Sequence, residues 1–284
     1  MESVGKSAIP DFPQAVTEAS RVNDFFNFFA PTDFARELGG KDVLDFGSGY
    51  GGRTVEYARR FRCRFVWGVE PFTGLVSESR RYASREDVPN VGFEVCGQQT
   101  IPLPDSSIDV VVSYDVLEHV ADPIASMREL HRVLRPSGRA FLVFPVYLGA
   151  FSHHLDYISL LPGLHWIFSA KTLVEAINEI LESEYGRRFG TSRQPNPSLA
   201  FDKSRIVLPT LNGLGGQHLK ALTAGFEVLH CNRHSWIRRR KPQGEMMKRF
   251  SSLPMPMTLL DAATSSVSFV LAKPAAPAVD RLTR

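Results

Sequence analysis

Between residues 42 and 146, short apolar runs alternate with stretches of helical period, and that alternation leaves few folds open. The runs are DVLDFG (42–47), CRFVWGVE (63–70), VGFEVC (91–96), IDVVVSY (108–114) and GRAFLVFPV (138–146). Helical patterns occupy 53–61, GLVSESRRYASR (74–85) and DPIASMRELHRVLR (122–135). IDVVVSY has almost no polar residue, as a strand buried on both faces of a parallel sheet requires. Asp122 suits an N-cap with Pro123 at the first helical position, and Pro136 with Gly138 closes that helix. Strands separated by helices predict an α/β fold, a parallel sheet covered on both faces.

The rhythm breaks after Val146. Residues 147–214 hold aromatics, histidines, prolines and one long helical pattern, SAKTLVEAINEILESEYG, and read as an insertion after the fifth strand. A helix, a glycine stop and a strand return at 216–234, and SVSFVLAKP (266–274) is the last strand. No helical unit stands clearly between those two strands, so an antiparallel pair is the economical reading. The expected organisation is an N-terminal helical cap (1–40), a core (41–146), an insertion (147–214), the end of the core sheet (215–274) and a loose tail (275–284). Within the cap, NDFFNFFAPTDFAREL groups Phe25, Phe26, Phe28 and Phe29. They are either core packing or a lid over an apolar ligand, with Phe25 and Phe29 touching it.

A net charge of +3 lacks the concentrated basic field of a dedicated nucleic-acid binder. Cys63, Cys96 and Cys231 follow neither disulfide nor zinc spacing, which suits reduced thiols in a cytoplasmic protein. The first twenty residues show no basic-then-apolar leader pattern, and no apolar run is long enough to span a membrane. A homo-oligomer is compatible with all of this.

The stretch VLDFGSGYGG (43–52) puts glycines at a strand-to-helix turn, where a missing Cβ lets backbone come close to a ligand. Gly47, Gly49 and Gly52 fit G-x-G-x-x-G; Gly47, Gly49 and Gly51 fit G-x-G-x-G equally. Glu70 ends the second strand and can accept from ribose hydroxyls of either NAD or S-adenosylmethionine. Asp45 discriminates more. A carboxylate beside a pyrophosphate is repelled, whereas one beside a sulfonium ligand carrying an ammonium is attracted, directly or through water.

Asp45-Phe-Gly47-Ser-Gly49-Tyr-Gly51 resembles the D-x-G-x-G-x-G signature of class I S-adenosylmethionine-dependent methyltransferases. IPLPDSSIDVVVSYDVLEHVADPIASMRELHRVLRPSGRAFLVFP (101–145) resembles the subgroup that includes ubiquinone- and menaquinone-pathway enzymes. The resemblance implies a Rossmann-like seven-stranded sheet, mostly parallel with its last strand antiparallel. It also implies S-adenosylmethionine as cofactor and S-adenosylhomocysteine as product. On the matching positions, Asp45, Gly47, Ser48 and Gly49 would meet the methionine end. Glu70 would hold the ribose, and Pro71 or Phe72 would lie against adenine. Ser113 and Tyr114 would line the cofactor largely through backbone groups. Relatives often carry an acid after the third strand for the adenine amino group. Gly97 stands there instead, which leaves backbone groups or the Gln98 amide. His119 in LEHV would face the space between cofactor and acceptor; otherwise it is a capping or core histidine.

In this fold the segment after strand five often covers the acceptor. Here it supplies His153, His154, Asp156, Tyr157, His165 and Trp166. His153, His154 or Asp156 could take a hydroxyl proton, and Tyr157, His165 and Trp166 could shape an acceptor pocket. The alternative is ordinary packing and surface. Adjacent histidines diverge in a regular element, so HHLD makes no metal site. The basic run RHSWIRRRKPQ (233–243) is a solvated face or an anion site, and its lack of interleaved aromatics disfavours RNA. The expected activity is methyl transfer to a small-molecule acceptor, with oxygen narrowly ahead of carbon and nitrogen. The competing readings are a non-catalytic cofactor-binding module and, behind it, a nucleotide-dependent oxidoreductase.

Overall fold

All five apolar runs become strands: β1 (Asp42–Phe46), β2 (Phe65–Glu70), β3 (Val91–Val95), β4 (Ile108–Tyr114) and β5 (Leu134–Phe144). A computed structural model describes residues 12–97, 100–150, 161–184, 200–202, 205–207, 211–235 and 257–275. Two short strands follow, β6 (Ala200–Asp202) and β7 (Arg205–Val207), then β8 (Glu227–Ser235) and β9 (Thr264–Ala272). Strands β6 and β7 form an antiparallel pair of their own. The other seven form one sheet in the order β3-β2-β1-β4-β5-β9-β8. β1 pairs in parallel with β2 and β4, and β2 in parallel with β3. The closing pair, β8 with β9, is antiparallel, the pairing the sequence leads one to expect. Because β1 lies between β2 and β4, the winding direction reverses there. The carboxyl ends of these strands therefore meet at a topological switch point, the place where open α/β sheets bind ligands.

The chain divides into two compact units. The first comprises residues through Tyr114, Glu129–Phe141 and Lys273 onward; the second comprises Asp115–Arg128 and Leu142–Ala272. In the first, α1 (Pro13–Ser20), α2 (Val22–Phe26), a single 3-10 turn (Asn27–Phe29) and α3 (Phe34–Leu38) precede β1. Helices α4 (Gly52–Phe61) and α5 (Thr73–Arg85) follow β1 and β2. Asp33 starts α3 by accepting from the Ala35 and Arg36 amides at 3.0 and 3.3 Å. α4 buries Thr54, Val55, Tyr57, Ala58 and Phe61, one face of a 3.6-residue period.

The N-terminal phenylalanines are packed inside this unit. Phe25 is 0% exposed. Its ring centroid lies 5.4 Å from Phe26, 5.1 Å from Phe29 and 5.8 Å from Tyr114. Phe29 and Phe34 in turn sit 5.3 and 5.1 Å from Phe141 on β5. Of the two readings of this aromatic group, packing accounts for the burial of Phe25 and Phe29. α1 adds Ala15 to a second cluster with Val55, Val76, Tyr82, Ala83 and Phe93.

Helix α6 (Pro123–Val133) starts as its sequence predicts, with Asp122 Oδ1 accepting from the Ile124 and Ala125 amides at 3.0 and 2.9 Å. It ends two residues before the expected Arg135. Pro136 disfavours helical backbone at the residue before it, so the chain is already extended at Leu134. Arg135 there pairs with Asp42 and Asp109 at 3.1 and 2.8 Å.

The second unit contains α7 (Leu164–Ile167) and α8 (Ala170–Glu182), the latter capped by Ser169 through the Thr172 amide at 3.1 Å. Leu173, Ile177 and Leu211 form a small buried cluster there, with Tyr147, Leu164 and Ala170 against it. Buried Asp261 joins separate segments by accepting from Arg233 Nη1 at 2.6 Å and the Gly216 amide at 2.7 Å. Arg233, the first residue of the basic run, is thus committed to structure, and 236–243 lie outside the described residues. Among the described residues, no helix is long and apolar enough to cross a membrane, and no three His, Cys, Asp or Glu side chains converge as a metal site.

Candidate cofactor site

The glycine turn is shaped by left-handed backbone. Gly47, Gly49 and Gly51 have φ of 80°, 55° and 79°, a region that side chains rarely adopt. The Gly47 and Ser48 amides both donate to the Val69 carbonyl at 3.0 and 3.1 Å, fixing the turn to the end of β2. Two positions are glycine because protein, rather than ligand, comes close. A Cβ on Gly51 would stand 2.7 Å from Ser79 Cβ and 2.9 Å from Phe93. One on Gly52 would stand 1.9 Å from the Ala15 carbonyl oxygen of α1. Gly52→Ala is therefore expected to push α1 aside and destabilise the protein by about 1–3 kcal/mol, read from urea unfolding. An unchanged midpoint would show that α1 does not seat there.

Acidic groups converge on this turn. Asp45, 3% exposed at the end of β1, accepts from Thr54 Oγ1 at 2.7 Å. Burial raises its pKa from 3.8 to about 6; Arg53 and the Thr54 bond oppose the shift, and Glu18 and Glu70 add to it. Glu70, buried at the end of β2, accepts from the Gly49 amide at 3.2 Å and also from the Phe72 amide. Burial raises its pKa too, against those two hydrogen bonds. Phe72 at the rim is 66% exposed, an open aromatic face beside a carboxylate.

Ser113 is buried, and its hydroxyl donates to the Phe46 carbonyl at 3.1 Å. The Arg53 guanidinium lies 5.2 Å from the Tyr114 ring centroid. Gly97 is exposed just past β3, its amide donating to the Thr100 carbonyl at 3.1 Å. Pro71 is exposed beside Phe72. The fold thus brings Asp45, Gly47, Ser48, Gly49, Glu70, Pro71, Phe72, Gly97, Ser113 and Tyr114 to the carboxyl ends of β1–β4; Gln98 lies outside the described residues. Ser48 Oγ is buried and makes no hydrogen bond. This set of carboxylate acceptors beside an exposed aromatic ring fits a cation carrying hydroxyls and an aromatic base. It does not fit a pyrophosphate, because buried carboxylates line the turn.

Sequence reasoning missed Glu18, Arg53 and Thr54. Thr54 is legible in retrospect as a polar residue on the buried face of α4. Glu18 gives no such signal, because only tertiary packing brings α1 to the turn.

In the second unit, the LEHV segment is held by Asn212. Its Nδ2 donates to the Leu117 and Val120 carbonyls at 2.7 and 2.8 Å, and its amide donates to the Glu118 carbonyl at 2.8 Å. Glu118 is buried, and its pKa is pushed well above the carboxylate range by desolvation and by Asp115. His119 Nε2 lies 3.5 Å from Glu118 Oε1. His165 stacks edge-on to Tyr147, centroids 5.5 Å apart, and Trp166 Nε1 donates to the Leu148 carbonyl at 3.0 Å. His153, His154, Asp156 and Tyr157 lie outside the described residues.

Residues 44–142 match the family described as the methyltransferase domain. An "Uncharacterized methyltransferase" of Mycobacterium sp. (strain JLS) is 37% identical over 117 residues, covering 41% of this chain and 43% of that protein. A "Probable S-adenosylmethionine-dependent methyltransferase" of Mycolicibacterium smegmatis is 37% identical over 112 residues, 38% of this chain and 39% of that protein. The shared stretch is thus less than half the length of these relatives. Among solved structures, geranyl diphosphate C-methyltransferase from Streptomyces coelicolor A3(2), in complex with Mg2+, geranyl diphosphate and S-adenosylhomocysteine, superposes with a TM-score of 0.54. The superposition covers 96% of this chain and 91% of that one at 14% identity, a likeness of fold. Residues 44–142 are thus similar to a methyltransferase domain.

Proposed function

We propose that this protein transfers the methyl group of S-adenosylmethionine to a small-molecule acceptor in the cytoplasm, a hydroxyl oxygen ahead of carbon or nitrogen. The observation that carries the reading is the set of buried carboxylates, Asp45 and Glu70, on a left-handed glycine turn at the switch point of the sheet. The bound cofactor supplies a methyl group already activated on a sulfonium. Asp45 would balance the cationic methionine end, Glu70 would accept from the ribose hydroxyls, and Phe72 would cover adenine. Alignment and exclusion of water then carry most of the rate enhancement, so no fixed triad is needed. Where the acceptor is a hydroxyl, His119, His153, His154 or Asp156 would take its proton. Tyr157, His165 and Trp166 would shape the acceptor pocket. The 101–145 stretch supports a place beside the quinone-pathway subgroup.

Calorimetric titration with S-adenosylhomocysteine, with NAD for comparison, tests the cofactor. The expected result is binding of the former alone. Binding of NAD alone would overturn it. Binding of S-adenosylhomocysteine without methyl transfer to any of a panel of phenolic, sugar and quinol acceptors would favour a non-catalytic module. Glu70→Ala is expected to weaken that binding by about 1–3 kcal/mol, the worth of charge-assisted hydrogen bonds. Unchanged affinity would remove Glu70 from the site.

A further inference from the structure

The family match begins at residue 44, and the N-terminal helices lie before it. Yet α1 places a carboxylate directly on the glycine turn. Glu18 Oε1 accepts from the Tyr50 amide at 3.2 Å, and its Oε2 accepts from the Gly52 amide at 3.0 Å. A Cβ on Gly49 would stand 2.7 Å from Glu18 Oε1, so glycine at 49 leaves room for this carboxylate as well as for a ligand. Gly51, at the start of α4, has no side chain to cap the helix, and Glu18 supplies that cap from a distant part of the chain.

A capping role alone does not account for the surroundings. Glu18 is held beside Arg53 and Glu78, and it acts electrostatically on both Asp45 and Glu70. Three carboxylates from α1, β1 and β2 thus bear on one turn, with the Arg53 guanidinium opposing them. Without a ligand they repel one another. A carboxylate has about four acceptor sites, and the two amides occupy two of those on Glu18. An ammonium carries three N–H donors, enough to engage two carboxylates at once.

We propose that Glu18 is a cofactor-positioning residue: it completes the seat for the α-ammonium of S-adenosylmethionine and thereby couples cofactor binding to docking of α1. This rests on the cofactor reading above. Glu18 would meet the ammonium on the outer side of the turn, against Gly49. Asp45 would act from β1.

The test compares S-adenosylhomocysteine with its deaminated analogue, which lacks only the amino group, by calorimetry on the full chain. In the wild type, the ammonium is expected to strengthen binding. In Glu18→Gln that preference is expected to fall by about tenfold, as loss of one charge-assisted contact implies. A pure helix cap predicts otherwise: lower melting temperature, with both ligands weakened by the same factor, and this result would overturn the proposal. Hydrogen exchange in the wild type provides a second readout should the variant not fold. Residues 13–20 should gain more protection from S-adenosylhomocysteine than from the deaminated analogue, and equal protection would overturn the proposal. Failure of the wild type to bind S-adenosylhomocysteine at all would instead remove the cofactor reading, and this proposal with it.

Discussion

Asp45→Asn is expected to make the ligand-free protein more stable at pH 8 while weakening S-adenosylhomocysteine by about tenfold to a hundredfold. The stability side follows from linkage. The folded pKa of Asp45 is raised from 3.8 to about 6 by burial, so the folded state binds the extra proton between those values. Stability from this group is fully present below pH 3.8 and is lost as pH rises through about 6. Above pH 6 the buried charge therefore costs about 3 kcal/mol relative to an ordinary carboxylate. Asparagine keeps an acceptor for Thr54 but adds a buried amide donor, which reduces the expected net gain to about 1–2 kcal/mol. The affinity side follows from removing a charge that faces a cation. Urea midpoints from pH 5 to 8, taken as the difference between wild type and variant, check the first. Calorimetry at pH 8 checks the second. A variant less stable at pH 8 would show that Asp45 is a structural anchor for Thr54 rather than a charge kept for a ligand.

Phe25→Ala is expected to destabilise the protein by about 3–5 kcal/mol, the range for deleting a fully buried aromatic ring. Phe25 is 0% exposed and meets the rings of Phe26, Phe29, Phe34 and Tyr114. The measurement is the urea midpoint at constant slope, with the acceptor KM beside it. An unchanged midpoint with a raised KM would return Phe25 to a lid. Removal of residues 1–30 should be more damaging still, because it takes away Ala15, Glu18, Phe25 and Phe29 together. The same helices that the sequence leaves open as a lid are, by burial, part of the first unit's core.

That difference shows where pattern reading stops. The α/β class, the parallel sheet, the Asp122 cap and the antiparallel closing pair were all legible in the sequence. Each depends on period, turn chemistry or connection length, which act over a few neighbouring residues. The end of α6 was misplaced by two residues because the apolar spacing continues to Leu134, while Pro136 had already excluded helical backbone at Arg135.

The chain by itself determined the strand–turn–helix that carries Asp45 and the glycines, and the placing of Glu70 at the end of the next strand. Alternation and glycine conformation leave that segment little choice. Only the tertiary structure decided why Gly51 and Gly52 lack side chains, which face of the N-terminal phenylalanines is buried, and that Glu18 reaches the turn. The Ala15–Gly52, Glu18–Tyr50 and Glu18–Gly52 contacts join residues more than thirty positions apart, and Ser79 meets Gly51 from 28 positions away. Such contacts leave no periodic trace in a single chain, because the energy that selects them is burial and charge pairing in space.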